Sequence, residues 1–390
     1  MTAIAGQRSG TAPGSAEGAG PVRVVLTGGG TGGHIYPALA IAAELGAGRV
    51  VGYLGTDRGL EARVVPEAGI PFFAVPATGV LGRSAVGMAR GGVQAVRGLA
   101  RALGLLGQLR PDIVVGTGGY VTGPVGVAAA MLGLPLFILE ENARPGLTNR
   151  LLARAARRVA VPWAEAAQGF PGGVRTKVVV TGNPVRREIV AVDGAAARKV
   201  LGLPARDPVV LVVGGSQGAE ALNDAVLALA TGAGTWPPGA ALLWATGPRY
   251  FPRVEAALGR SAPFARAVPY LDDMPSAYAA ADLVIARAGA MTVAELTARG
   301  VPAILVPSPN VTGDHQTANA RVLTERGAAV LLPERHLARL GQAVRELVAD
   351  AGRRRAMAEA SRALGRPDAA ATLADLVLRE ASRTRGGGRS

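Results

Sequence analysis

Short apolar runs, each closed by glycine or polar turn residues, alternate along this chain with longer segments whose apolar positions recur at helical spacing. The runs fall at residues 22–27, 50–54, 71–75, 112–116, 135–139 and 158–161, and again at 209–213, 241–245, 265–268, 283–286, 303–306 and 329–332. Most are apolar throughout, the mark of strands buried on both faces. Strand and helix in alternation predict two parallel sheets covered on both sides: an α/β protein of two Rossmann-like, doubly wound domains facing a cleft. The halves share this scheme without repeating one another closely in sequence. Between them, TGNPVR at residues 181–186 ends a strand in Gly-Asn-Pro, where helix cannot continue. The joint is placed there, with a first domain over 21–185 and a second over 186–365. A helical segment near 366–380 is surplus to the second sheet and is read as crossing back to the first domain. Residues 1–20 and 381–390 read as disordered tails.

With 390 residues and 49% hydrophobic content the chain can bury two cores. Cysteine is absent, which removes disulfides, thiolate metal sites and a thiol nucleophile, and permits a reducing compartment. The first residues lack the charged and apolar regions of a secretion signal. The longest apolar stretch, 125–139, is broken by Gly133 and Pro135, so a helix feeding a buried strand is expected there and a transmembrane helix is not.

The formal charge of +14 does not point to nucleic acid, because the cations are nearly all Arg in an Ala-, Gly- and Val-rich chain and aromatics are only 4%. Its distribution matters more. No acidic residue lies between Glu67 and Asp112, a stretch that holds Arg83, Arg90, Arg97, Arg101 and Arg110. Arg90, Arg97 and Arg101 share a helical face beside Val93, Val96, Leu99, Leu103 and Leu106, which suits docking on an anionic membrane surface. A core helix with a solvated basic face accounts for the pattern equally well.

Two glycine-rich elbows carry the chemistry: GGGTGGHIYP at 28–37 and GGSQGAEALN at 214–223, each following an apolar run and opening a helical segment. Gly28, Gly30 and Gly33 satisfy G-x-G-x-x-G, and Asp57 after the next strand is placed to hold a ribose, so the first half alone fits a nicotinamide cofactor. Against that stand His34, directly after the last glycine, and a second glycine patch, GTGGYVTGP at 116–124. Neither elbow ends in Gly-Lys-Ser/Thr, which excludes Walker-type phosphate binding. In the second half, Ala288, Gly289 and Ala290 turn a strand into a helix beginning near Met291 or Thr292. Its free amides and positive dipole end attract a diphosphate. Glu295, about one turn in, can accept from both hydroxyls of a ribose; the bland alternative is an acid favoured by the dipole.

Taken in order, GGGTGGHIYPALA, GTGGYVTGP, EENARPGLTN, TGNPVR, GGSQGAEALN, YLDDM, RAGAMTVAEL and DHQTANA resemble the MurG family over residues 22–332. The resemblance implies the GT-B fold with the donor held mainly by the second domain. It implies an inverting transfer of N-acetylglucosamine from UDP-GlcNAc to the C4 hydroxyl of the muramoyl sugar of lipid I, giving lipid II at the cytoplasmic face of the cell membrane. UDP-GlcNAc is then a co-substrate, and no tightly bound cofactor is implied. Matched motif by motif, Thr31, Gly32 and Gly33 lie near the sugar and diphosphate, and Asn142 near the GlcNAc. Arg186 and Ser216 belong to the nucleotide pocket and Leu271 lies near the uracil. Ala290, Met291, Thr292, Val293, Ala294 and Glu295 hold the phosphates and ribose, and Gln316 contacts the sugar. One position departs: the family usually reads Glu-Gln-Asn where this chain has Glu140, Glu141 and Asn142, so contacts of that Gln do not carry over. Other wall-synthesis proteins stay open as partners.

Inverting transfer needs a base for the acceptor proton, donors for the leaving diphosphate and a cleft that excludes water. Of three histidines, His34 is the candidate base; the helix start is expected to lower its pKa and keep it neutral. Its alternative role is to hold the glycine loop in shape. His315 is placed to orient the donor, and His336 reads as a surface residue. No Asp-x-Asp ends a strand, so a divalent metal is not expected to be required. Asp272 and Asp273 read as helix caps, and Asp282 as a strand-start residue. A transferase with another acceptor, a dinucleotide oxidoreductase and a non-enzymatic scaffold remain as alternatives.

Overall fold

The structure, a computed structural model, describes residues 20–46, 48–78, 85–232, 236–259 and 262–387. Strands β1 (Val24–Thr27), β2 (Val50–Gly55), β3 (Phe72–Ala74), β4 (Ile113–Gly116), β5 (Leu136–Leu139), β6 (Arg158–Val161) and β7 (Val178–Val180) form one sheet in the order β3-β2-β1-β4-β5-β6-β7. Strands β8 (Val209–Val213), β9 (Ala241–Ala245), β10 (Ala265–Val268), β11 (Leu283–Ala286), β12 (Ala303–Leu305) and β13 (Ala329–Leu331) form a second in the order β10-β9-β8-β11-β12-β13. All pairings are parallel. The expected fold class holds. Every run read from the sequence is a strand, and β7, which ends just ahead of TGNPVR, completes the first sheet.

Burial on both faces is visible residue by residue. In β1, Val25 enters one core while Val24 and Leu26 enter the opposite one, and Val114 of β4 is likewise opposed to Ile113 and Val115. In the second sheet, Val210, Val212, Leu242 and Trp244 face one core, and Leu211 and Leu243 the other. A pattern apolar at every position is thus what a strand between two helical layers requires.

The chain crosses between the halves twice, near residues 181–187 and 365–368. After the second crossing, helix Ala369–Gly387 lies on the first sheet, packing Leu373, Ala374, Val377 and Ala381 against helix Gly32–Leu45 and the β1 and β4 face. Arg158 on β6 ties down its far end through Glu380 at 2.9 Å. The reading of 381–390 as a tail is corrected here: Ala381 is fully buried and helix runs on to Gly387. Residues 1–19 and 388–390 lie outside the described residues. Because Leu373 is fully buried in the first core, Leu373→Ala is expected to cost about 2–5 kcal/mol. The check is the midpoint of chemical denaturation; an unchanged midpoint would show that this helix contributes nothing to the first domain.

Candidate functional site

The first sheet reverses its strand order between β1 and β4, and the second between β8 and β11. Open parallel sheets bind ligands outside the carboxyl ends of the strands at such a reversal. The glycine-rich segments that follow β1, β4 and β8, and the small-residue segment from Arg287 to Ala290, leave these four strands. The two reversal points face one another: helix Gly32–Leu45 meets helix Ala290–Arg299 across the cleft. Within the first half, the glycine patches lie backbone against backbone. A Cβ on Gly119, which has φ of 82°, would sit 2.1 Å from the Gly29 carbonyl oxygen, so only glycine fits.

Two buried glutamates hold this half of the cleft in shape. Glu61 accepts from the Gly30 amide (3.3 Å) and from the Thr56 amide and hydroxyl (3.1 and 2.6 Å). Glu140 accepts from the amides of Asn142 and Gly146 (2.9 and 3.0 Å) and from the side chains of Asn142 and Asn149 (3.1 and 2.9 Å). Glu61, not the exposed Asp57, is the acid that follows β2 into the site. Asn142 also accepts from the Asn319 side chain across the cleft at 3.2 Å, and the Ala143 amide donates to Asn319 at 2.8 Å. His315 reaches the Arg144 carbonyl oxygen at 2.8 Å, so it joins the two halves. His336 is half-buried.

On the second half, a cavity of about 620 Å³ is lined by Gly214, Gly215, Gly218, Arg287, Gly289, Thr292, Ser308, Gln316 and Glu334 among others. That is ample for a nucleotide sugar. Ser216 sits exposed on the loop between Gly215 and Gly218. Helix Ala290–Arg299 starts after Gly289, one residue ahead of the expected start, with no side-chain cap on its first amides. Gln316 accepts from the Ser308 amide at 2.8 Å, which leaves its NH2 end as the donor. Arg287 donates to the carbonyl oxygens of Val306 and Pro307 (3.2 and 3.1 Å) and pairs with Glu334, a partner 47 residues away that no local motif announces.

Glu295 is hydrogen-bonded to the buried Tyr278 hydroxyl. Burial pushes its pKa up to about 7, with Arg186 and Tyr278 pulling the other way. Arg186 is exposed, and its charge also acts on Tyr270, which feels Tyr36 and Arg63 of the facing half. Leu271 is half-buried against the second core. Asp273 caps helix Met274–Ala280, accepting from Ser276 at 3.0 Å. Asp282 accepts from Arg198 and from the Val209 amide at the start of β8.

His34 is corrected in one respect. Its Nδ1 donates to Glu141 Oε2 at 2.7 Å. Burial acts to lower the imidazole pKa, but the Glu141 carboxylate outweighs it, with help from Glu140, and holds it up at about 9. The helix start is therefore not the dominant influence, and His34 is a charged partner of Glu141.

The glycosyltransferase family 28 N-terminal domain matches residues 24–161 and the family 28 C-terminal domain matches residues 209–373. A UDP-N-acetylglucosamine–N-acetylmuramyl-(pentapeptide) pyrophosphoryl-undecaprenol N-acetylglucosamine transferase from Symbiobacterium thermophilum is 46% identical over 93% of this chain and 98% of its own. A protein of the same name from Desulforudis audaxviator is 46% identical over 91% of this chain and 98% of its own. The crystal structure of Acinetobacter baumannii MurG superposes with a TM-score of 0.73 at 31% identity, covering 92% of this chain and all of that one. With both family 28 domains present and relatives of this identity spanning nearly its whole length, the chain belongs to the MurG family of GT-B glycosyltransferases.

Proposed function

We propose that this chain transfers GlcNAc from UDP-GlcNAc, with inversion, to the muramoyl C4 hydroxyl of lipid I, forming lipid II at the cytoplasmic face of the membrane. One observation supports the reading: helix Gly32–Leu45, which opens at the first elbow and carries His34, meets helix Ala290–Arg299, which carries Glu295. The uridine ribose is assigned to Glu295, with Arg186, Ser216 and Leu271 around the nucleotide. The diphosphate is assigned to the amides of residues 290–292 and the loop 214–218, and the sugar to Gln316 and Asn142 beside Thr31, Gly32 and Gly33. His34 takes the acceptor O–H proton on Nε2 as the oxygen bonds to C1; the bond from C1 to the phosphate oxygen breaks, and its electron pair leaves on UDP. Helix amides and loop donors, rather than a metal, are assigned the leaving charge. Among the described residues no cluster of three His, Cys, Asp or Glu is placed to hold a metal ion.

The membrane surface is proposed on the first domain. Among the described residues no helix is long and apolar enough to cross a membrane. In helix Ala85–Leu109 the two readings of the basic face divide along its length: Ala102, Leu105 and Leu106 are core, whereas Val93 and Val96 are 54% and 68% exposed next to exposed Arg97 and Arg101. Arg83 and the Arg90 side chain lie outside the described residues. Leu147 and Leu151 add exposed apolar surface on helix Leu147–Leu152, which packs on helix Thr122–Met131, itself packed on helix Ala85–Leu109. Each Arg near an anionic surface contributes about 1 kcal/mol, so reversing Arg97 and Arg101 to Glu is expected to weaken sedimentation with phosphatidylglycerol vesicles by more than about tenfold. Unchanged sedimentation would remove this face from the reading.

Transfer of labelled GlcNAc from UDP-GlcNAc to a lipid I analogue tests the function. Product is expected with the muramoyl acceptor; folded protein that binds donor yet makes none would sink the acceptor assignment.

A further inference from the structure

Three glutamates are buried at the first elbow, and two are fully occupied in holding loops. Glu61 and Glu140 each accept from backbone amides through geometry already described. Glu141 does not. Its side chain is 1% exposed, His34 is its only side-chain hydrogen-bond partner among the described residues, and Oε1 is buried with no hydrogen-bond partner among them. An ionisable group left half-satisfied in a dry site costs about 1–3 kcal/mol or more, and no loop is held by it in return. Everything around the imidazole makes this single contact firm. A Cβ at Gly118, with φ of 108°, would lie 2.7 Å from His34 Nδ1, so glycine there lets the ring lie against backbone. The Thr117 hydroxyl donates to the His34 carbonyl oxygen at 2.6 Å. The imidazole keeps 28% exposure, and its Nε2 has no protein partner among the described residues.

We infer that Glu141 is a positioning residue for the transfer: it fixes the His34 tautomer with Nε2 open to the cleft and sets the pH at which that nitrogen can accept the sugar's proton. This rests on the reading of His34 as the proton acceptor. The proton already on Nδ1 stays there, shared with Glu141, while the acceptor O–H bond breaks and its proton moves to Nε2; the carboxylate stabilises the imidazolium so formed. Gln can accept from Nδ1–H and orient the ring, but it brings no charge.

The charged groups facing His34 are few. From the loop after β5 come Glu141 and, more weakly, Glu140; the loop after β4 places the uncharged Thr117 and Gly118 against it. Tyr53 of β2 is buried with its hydroxyl on the Gly28 carbonyl oxygen, and Glu61 lies under the glycine loop. Helix Ala369–Gly387 packs against the elbow helix through apolar residues. Glu141 thus dominates: with it the imidazole gives up its proton near 9, and burial alone would move that point downward. Turnover of the native enzyme should rise between about pH 7 and 9 as the neutral imidazole appears, a stronger base that is less often free.

Three histidines make a direct test simple. Protein labelled with 13C at histidine Cε1 is titrated by NMR, as wild type, Glu141→Gln and Glu141→Asp, alongside kcat against pH. The His34 signal is expected to titrate well above 8 in wild type, to stay high in Glu141→Asp, and to fall by about two units or more in Glu141→Gln. The rising limb of kcat should move with it, and the Glu141→Gln plateau should drop by about ten- to hundredfold, with KM for UDP-GlcNAc nearly unchanged. An unmoved His34 titration in Glu141→Gln overturns the inference outright. A moved titration with an unmoved kcat limb overturns His34 as the proton acceptor, and a matched loss of kcat and donor KM would make Glu141 a loop residue only.

Discussion

His34→Ala is expected to lower kcat by about 10²–10⁴-fold, the usual contribution of a placed general base, while UDP-GlcNAc binds as before. The separation follows from where the side chain points. Nδ1 is spent on Glu141 of its own half, and His34 is not among the residues that line the cavity of the second half. Removing the imidazole strands the Glu141 carboxylate in a dry pocket, where burial already pushes its pKa up to about 7. It will take a proton instead, so the fold should lose only about 1–3 kcal/mol. Calorimetry with UDP-GlcNAc and a melting curve therefore accompany the kinetics. A variant that keeps more than about a tenth of wild-type kcat would show that another group removes the proton.

Both sheets were legible because burial of a parallel strand on two faces writes itself into consecutive positions: VVLVV of β8 has no polar residue to confuse the period. β7 is the weakest of the set, with Val178 and Val179 half-buried and Val180 exposed, and its place is marked instead by the Gly-Asn-Pro that ends it. The end of the last helix is not legible for a related reason. Ala381 is held by the first core and Glu380 by Arg158, contacts made across more than two hundred residues.

The elbows themselves were readable because a strand, a glycine turn and a helix start are contiguous in sequence. What was not readable is the charge inside them. The partner that decides the state of His34 lies 107 residues away, so the sequence displays the local influence of a helix start and not the larger one. Asn142 shows the same limit from another side: its motif marks it for the sugar, yet its contact with Asn319 makes it part of the seam between halves as well. Closing or opening the cleft must therefore make or break contacts at a residue assigned to the donor sugar.

Glu295→Ala is expected to weaken UDP-GlcNAc binding by about a hundredfold or more, since two hydrogen bonds to a charged acceptor are lost at about 1.5–3 kcal/mol each. The pH dependence makes the prediction sharper. Burial raises the carboxyl to about 7, and only its ionised form accepts from both ribose hydroxyls. Binding should thus be full above about pH 7 and lose about tenfold for each unit below it, because the donor must first expel the proton. UDP-GlcNAc is the right probe, as its diphosphate is substituted at both ends and does not titrate in this range. Glu295→Gln, which keeps the Tyr278 contact and the side-chain shape, should bind weakly at every pH with no slope between 5 and 7. If the wild type shows no slope while Glu295→Ala binds weakly, the carboxyl is ionised before the donor arrives, with Arg186 outweighing burial. If Glu295→Ala binds as wild type does, Glu295 is only an acid at a helix start and the ribose lies elsewhere.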